Sequence, residues 1–152
     1  MKKKSIALAL STLMVTGLVG CGSNEGGSNE EATLKVGMVT DSGTIDDKSF
    51  NQSAWEGLQE WGKANKLEKD SGYNYCQSGS ESDFATNLSS AQSQGYNLIF
   101  GVGFALHDAV ADAAKEHEDV NYVLIDDVIK DQKNVVSATF ADNEAAYLAG
   151  VA

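Results

Sequence analysis

"NLIFGVGFALHDAVADAAKEHEDVNYVLID", residues 97–126, places an apolar run, an alanine-rich amphipathic stretch and a second apolar run in direct succession. "NLIFGVG" (97–103) predicts a strand, "FALHDAVADAAKEHE" (104–118) a helix and "VNYVLID" (120–126) another strand. Antiparallel neighbours need only a tight turn, whereas parallel ones need a crossover of about a dozen residues or more. The stretch therefore reads as a βαβ unit.

The same alternation continues in both directions. Upstream, "LKVGMVT" (34–40) predicts a strand and "SFNQSAWEGLQEWGKAN" (49–65) a helix. Phe50, Ala54, Leu58 and Trp61 run along one face of that helix, with Trp55 beside them, and Ser49 and Gln52 have the spacing of a capping box. "YNYCQS" (73–78) predicts the next strand, and "ESDFATNLSSAQSQG" (81–95) a helix with Phe84, Leu88 and Ala91 inward and Gly95 as its stop. Downstream, "NVVSATF" (134–140) predicts a fifth strand and "NEAAYLAGVA" (143–152) a further helix. Strands alternating with helices imply an α/β fold with a doubly wound, mostly parallel sheet and helices on both faces.

The 152 residues, 42% of them hydrophobic, suffice for one core and are too few for two ordinary domains. A formal charge of −11 repels nucleic acids and anionic headgroups, so nucleic acid is not an expected partner. All 11 basic residues are lysines. Without arginine, the planar fork that clamps carboxylates and phosphates is missing, and a neutral ligand fits better than an anionic one.

Residues 1–20 read as a leader. "MKKK" is a positive n-region, and the apolar stretch after it is too short for a comfortable membrane span. It ends in "LVGC", which looks like a bacterial lipoprotein signal with Cys21 as the lipidated N-terminus. Two acyl chains on Cys21 would anchor the protein to the extracytoplasmic face of the cell membrane. Loss of Lys2, Lys3 and Lys4 with the leader would take the charge from −11 to −14. Residues 21–33 hold that cysteine and a Gly/Ser/Asn/Glu-rich flexible tether. Cys76 is then a lone thiol with neither disulfide nor metal partner, expected as an inert core residue.

In an open doubly wound sheet, ligands bind beyond the carboxyl ends of the strands. Three corners fall there: "TDSGTIDDKSF" (40–50), "GVGF" (101–104) and "DDVIKDQ" (126–132). Asp41 either accepts hydrogen bonds from a ligand or holds an Asx-turn. Asp46 and Asp47 favour the helix N-terminus, with Lys48 as their solvated partner. Phe50 and Phe104 either pack in the core or stack on a flat ligand. Asn51 and Gln52 offer amide groups, and capping accounts for Gln52. Gly101 and Gly103 permit close backbone approach without making a dinucleotide fingerprint. Asp126 or Asp127 binds vicinal hydroxyls or serves as a turn acid. His107 and His117 lie at different helical phases, fit no metal-ligand spacing and are expected to be exposed. No phosphate loop, nucleophile elbow or catalytic cysteine–histidine couple is present, which argues against an enzyme and against a cofactor.

"VGMVTDSGTIDDKSFNQSAWEGL" (36–58), "YCQSGSESDFATNL" (75–88), "GVGF", "NYVLIDDVI" (121–129) and "NVVSATFADNEAAYLAGVA" (134–152) together resemble the basic membrane protein family of bacterial substrate-binding lipoproteins. The nearest likeness is to members related to the purine nucleoside receptor. The resemblance implies the first lobe of a type I periplasmic-binding-protein fold, a purine nucleoside as ligand and the permease subunits of an ABC importer as partners. It implies ligand contacts from Asp41 and Ser42, stacking by Phe50, contacts from the Gly103–Phe104 corner, and ribose hydroxyls held by Asp126 or Asp127. It also implies that residues 34–138 form the N-terminal ligand-binding lobe and that 139–152 cross the hinge into a second lobe. Family members are about twice this length, so a truncated form is expected. The competing expectations are a surface lipoprotein without a transport role, a fragment without function, and a doubly wound enzyme using Asp41 or Asp47.

Overall fold

Residues 33–152 are described by a computed structural model; the leader at 1–20, Cys21 and the tether as far as residue 32 lie outside them. Five strands alternate with four helices: β1 (Val36–Val39), α1 (Phe50–Ala64), β2 (Tyr73–Cys76), α2 (Phe84–Ser93), β3 (Leu98–Val102), α3 (His107–Glu116), β4 (Asn121–Ile125), β5 (Val135–Ala138) and α4 (Asp142–Val151). Single 3-10 turns, Glu81–Asp83 and Phe104–Leu106, lead into α2 and α3. Every expected strand and helix is present, and each strand is shorter than its apolar run because the run's ends turn into corners.

All strand pairings are parallel, in the order β2-β1-β3-β4-β5. β1 is flanked by strands on both sides, and all four of its residues are buried, as the unbroken "VGMV" requires. Two cores lie on opposite faces of the sheet. The larger gathers Phe84, Leu88 and Ala91 of α2 and Val110 and Ala114 of α3 against Ile99, Tyr122 and Leu124. The smaller sets Trp55 and Leu58 of α1 against Val36, Met38 and Val102. Trp55 meets the Tyr75 ring edge-on at 4.8 Å. Helices therefore cover both faces, though unequally. Beside α1 an apolar groove of about 350 Å³ remains, between Ala54 and Trp61 on the helix and Leu98, Phe100 and Ile125 on the sheet.

The inward face of α1 differs from expectation. Its buried residues are Asn51, Trp55, Leu58 and Gly62, while Phe50 is 41% exposed and Trp61 half-buried. The buried stripe keeps Leu58 but is displaced toward Asn51 and Trp55, because a polar side chain at 51 has partners inside. Cys76 packs half-buried against the larger core. Burial pushes its thiol up, with a hydrogen bond to Ser90 working weakly against that, which agrees with an unreactive thiol. No helix among the described residues is long and apolar enough to cross a membrane.

Truncating Trp55 to alanine should cost about 3–5 kcal/mol, because it empties the smaller core. Phe50→Ala, at an exposed ring, should cost less than about 1 kcal/mol. Urea unfolding of the two variants checks this; equal losses would restore the face expected from apolar periodicity alone.

Candidate functional site

The connection from β1 leads to one neighbouring strand and the connection from β2 leads back across β1 to the other. This reversal opens a crevice at the carboxyl ends of β1 and β3, the place where doubly wound sheets bind ligands. Asp41 and Gly103 meet in it. Gly103 has φ +101°, and a Cβ there would sit 3.3 Å from Asp41 Oδ2, so the turn and the close approach both require glycine. Its N–H donates to the Ile125 carbonyl at 3.1 Å, tying this corner to the end of β4.

The first corner is organised around Asn51, which is 1% exposed. Its Nδ2 donates to Asp41 Oδ1 at 2.7 Å and to Asp47 Oδ2 at 2.9 Å. Asp41 Oδ1 also accepts the Gly43 N–H at 2.7 Å, so the Asx-turn is present. Asp41 Oδ2 has no hydrogen-bond partner among the described residues. Asn51 Oδ1 is buried without a donor. Such an orphaned acceptor carries the full desolvation cost unless something outside the chain satisfies it.

Asp47, rather than a Ser49–Gln52 capping box, closes the start of α1. Its carboxylate accepts the N–H groups of Ser49, Gln52 and Asn51 at 2.7, 3.1 and 3.3 Å. Ser49 makes no side-chain cap, and Gln52 Oε1 instead accepts the Lys48 N–H at 3.0 Å. Two carboxylate oxygens reach several orphan donors where one hydroxyl reaches fewer, and the left-handed turn at Lys48 (φ +57°) brings them into range. Burial pushes the Asp47 carboxyl up, and the donors from Ser49, Gln52 and Asn51 outweigh it, holding the group below its ordinary value. Asp46 accepts the Thr44 hydroxyl, and Lys48 forms no ion pair among the described residues, contrary to the partnership expected for it.

Other residues converge on the same edge. Phe50 is solvent-facing rather than core, its ring centroid 6.0 Å from that of Phe140 just past β5. Phe104 is 68% exposed, and Ser42 also lies at the surface. Thr40 and Ser78, both buried, join the ends of β1 and β2: Ser78 Oγ donates to the Thr40 carbonyl at 2.8 Å and its N–H to Thr40 Oγ1 at 3.0 Å. Asp126 has φ +74°, with its N–H donating to the Ala138 carbonyl at 2.8 Å and its carboxylate making no hydrogen bond among the described residues. Asp127 is engaged. It accepts the Val128 N–H and pairs with His107 Nδ1, both at 2.7 Å, and these two donors hold its carboxyl below the ordinary range.

The histidines are half-buried, not exposed: His107 is held by Asp127, and His117 lies where the Asn134 side chain ties down the end of α3. No cluster of three metal-ligating side chains occurs among the described residues. Apolar and polar patterning missed Phe140, Ser78 and the bridging role of Asn51. The position of Phe140 at the carboxyl end of a strand was the available signal, but its aromatic character reads equally as core.

A family model described as "ABC transporter substrate-binding protein PnrA-like" matches residues 34–152. The chain is 57% identical over 156 residues to the "ABC transporter nucleoside-binding protein BmpA" of Lactococcus lactis subsp. cremoris, covering 100% of this chain and 44% of that one. It is 47% identical over 159 residues to the "CD4+ T-cell-stimulating antigen" of Listeria monocytogenes, covering 99% and 44%. A solved ABC transporter solute-binding protein from Aeropyrum pernix K1 superposes with a TM-score of 0.69 at 25% identity, over 78% of this chain and 31% of that one. The chain thus spans less than half the length of these relatives.

Asp47→Ala should destabilise the protein by about 0.5–2 kcal/mol near neutral pH, as loss of a helix cap does. A carboxyl held low in the folded state contributes fully above its unfolded pKa of about 4 and loses that contribution as pH falls through its lower folded value. Wild type and variant should therefore converge on acidification. Urea titrations at pH 7 and at about pH 2.5 check this, a gap that persists in acid being the contrary result.

Proposed function

The chain belongs to the family of PnrA-like substrate-binding proteins of ABC transporters, and from that we propose that it forms one wall of a purine-nucleoside site in a lipid-anchored importer lipoprotein. The observation that carries this reading is the crevice beyond β1 and β3, where Asp41 Oδ2 has no hydrogen-bond partner among the described residues, with the exposed Phe50 ring on the same edge of the sheet. A purine nucleoside matches that pattern. Its base stacks on Phe50. Asp41 Oδ2 and Ser42 accept or donate at the base edge. The Gly103 backbone allows close approach, with Phe104 at the rim.

The ribose hydroxyls are assigned to Asp126. Asp127, the alternative, is already committed to His107 and the Val128 N–H, while the Asp126 carboxylate is free of other hydrogen bonds. A neutral ligand also suits a site with acids and no arginine. Residues 34–138 would make up the lobe that carries this wall, and 139–152 the passage toward an opposing one. Cys21 would hold the whole at the outer face of the membrane, where permease subunits of the importer receive the ligand. The reading is of a binding protein, without a catalytic step.

Thermal unfolding of the chain with inosine, adenosine, guanosine or ribose tests the reading. A nucleoside at about 100 times its dissociation constant should add about 2.7 kcal/mol of stability, while ribose alone should add little. A cooperative transition that no nucleoside shifts would overturn the proposal. Phe50→Ala should weaken purine-nucleoside binding by about 1–3 kcal/mol, the worth of one base–aromatic stack, as read by calorimetry.

A further inference from the structure

At the end of β4 the backbone enters the left-handed region at Asp126, φ +74°, a conformation that beyond glycine only asparagine and aspartate visit with any ease. Lys48, Lys66, Asp70 and Asp131 also have positive φ, so the ties around Asp126 rather than the conformation alone set it apart. Two ties flank this one. On one side the Asp126 N–H is held by the Ala138 carbonyl of β5 at 2.8 Å. On the other, the next residue is pinned through its side chain: Asp127 Oδ2 meets His107 Nδ1 at 2.7 Å, and Asp127 Oδ1 takes the Val128 N–H. His107 is the first residue of α3 and follows directly on the Gly103–Leu106 turn. The pair therefore braces the corner after β4 against the corner after β3.

We propose that His107 is a positioning residue for ligand recognition: acting through Asp127, it keeps Asp126 in the left-handed conformation that sets the direction of its carboxylate. This rests on the assignment of Asp126 to the ribose hydroxyls. His107 touches no ligand in this scheme. With Nδ1 carrying a proton it donates to Asp127. Loss of the imidazole leaves Asp127 with only its local Val128 bond and frees Asp126 to relax toward ordinary strand geometry, which moves the carboxylate off its mark.

The signature is a change in discrimination between inosine and 2′,3′-dideoxyinosine, which differ in the hydroxyls assigned to Asp126. In the full chain, His107→Ala should lower the ratio of the two affinities by about tenfold, equivalent to about 1.4 kcal/mol, with dideoxyinosine binding unchanged. His107→Asn, whose amide can donate to Asp127, should restore most of the ratio. Asp126→Ala should abolish the ratio, and adding His107→Ala to it should change nothing further. If His107→Ala keeps the wild-type ratio while Asp126→Ala loses it, the positioning role is wrong and the ribose assignment stands. If Asp126→Ala keeps the ratio, or inosine does not bind, the assignment beneath it fails. A ligand-free readout stands apart from both: amide exchange at Asp126–Val128 should accelerate in His107→Ala and recover in His107→Asn, and unaltered exchange there overturns the proposal by itself.

Discussion

One amide group holds the functional edge of this molecule together. Asn51 Nδ2 lies between the carboxylates of Asp41 and Asp47, at 2.7 and 2.9 Å, and so fixes the start of α1 to the end of β1. The orientation of that amide follows from charge, since the reversed one would turn its oxygen toward two anions. With the nitrogen committed, the oxygen is left facing inward without a donor. The neighbouring residues conform to this arrangement. A Cβ at Gly43 would come within 2.6 Å of Asn51 Nδ2, and Asp47 has to reach both the amide and the helix's first N–H groups. The displaced buried stripe of α1, the exposure of Phe50 and the capping by an aspartate are three results of one buried polar contact.

This contact also marks where the amino-acid sequence ceased to be legible. Element types and their order were readable, because alternation of apolar runs with amphipathic stretches depends on local periodicity. α1 was expected at 49–65 and spans Phe50–Ala64. Its inward face was not readable: counting apolar residues favours Phe50 and Trp61, and no local rule tells that an asparagine has two carboxylates waiting for it. The same limit explains the capping box. Ser49 and Gln52 have the right spacing, yet the turn at Lys48 gives the position to Asp47.

At the candidate site, the corners after the first, third and fourth strands were legible because polar residues and glycines interrupt apolar runs there. The parts that depend on strands meeting across the sheet were not. Ser78 looks like an ordinary loop serine until it is paired with Thr40, and the Phe50–Phe140 contact joins residues far apart in the sequence. The choice between Asp126 and Asp127 was likewise open. The two differ in that Asp127 is held by His107, which belongs to α3 and had no partner visible by spacing.

The strand order carries a consequence for how the chain assembles. β1 lies between β2 and β3, so the middle of the sheet can close once residue 102 is available, and β4 and then β5 add outward along one edge. The longest closure, β1 onto β3, follows that of β1 onto β2, and each later strand closes a shorter loop than that one. Closing the costly loop early leaves each subsequent strand a finished template. A chain supplied from its N-terminus therefore offers β1, β2 and β3 for pairing before the Asp126 corner that borders their crevice has been made. The brace between His107 and Asp127 joins the start of α3 to the turn after β4, so its second half is supplied only after all the strands of the crevice.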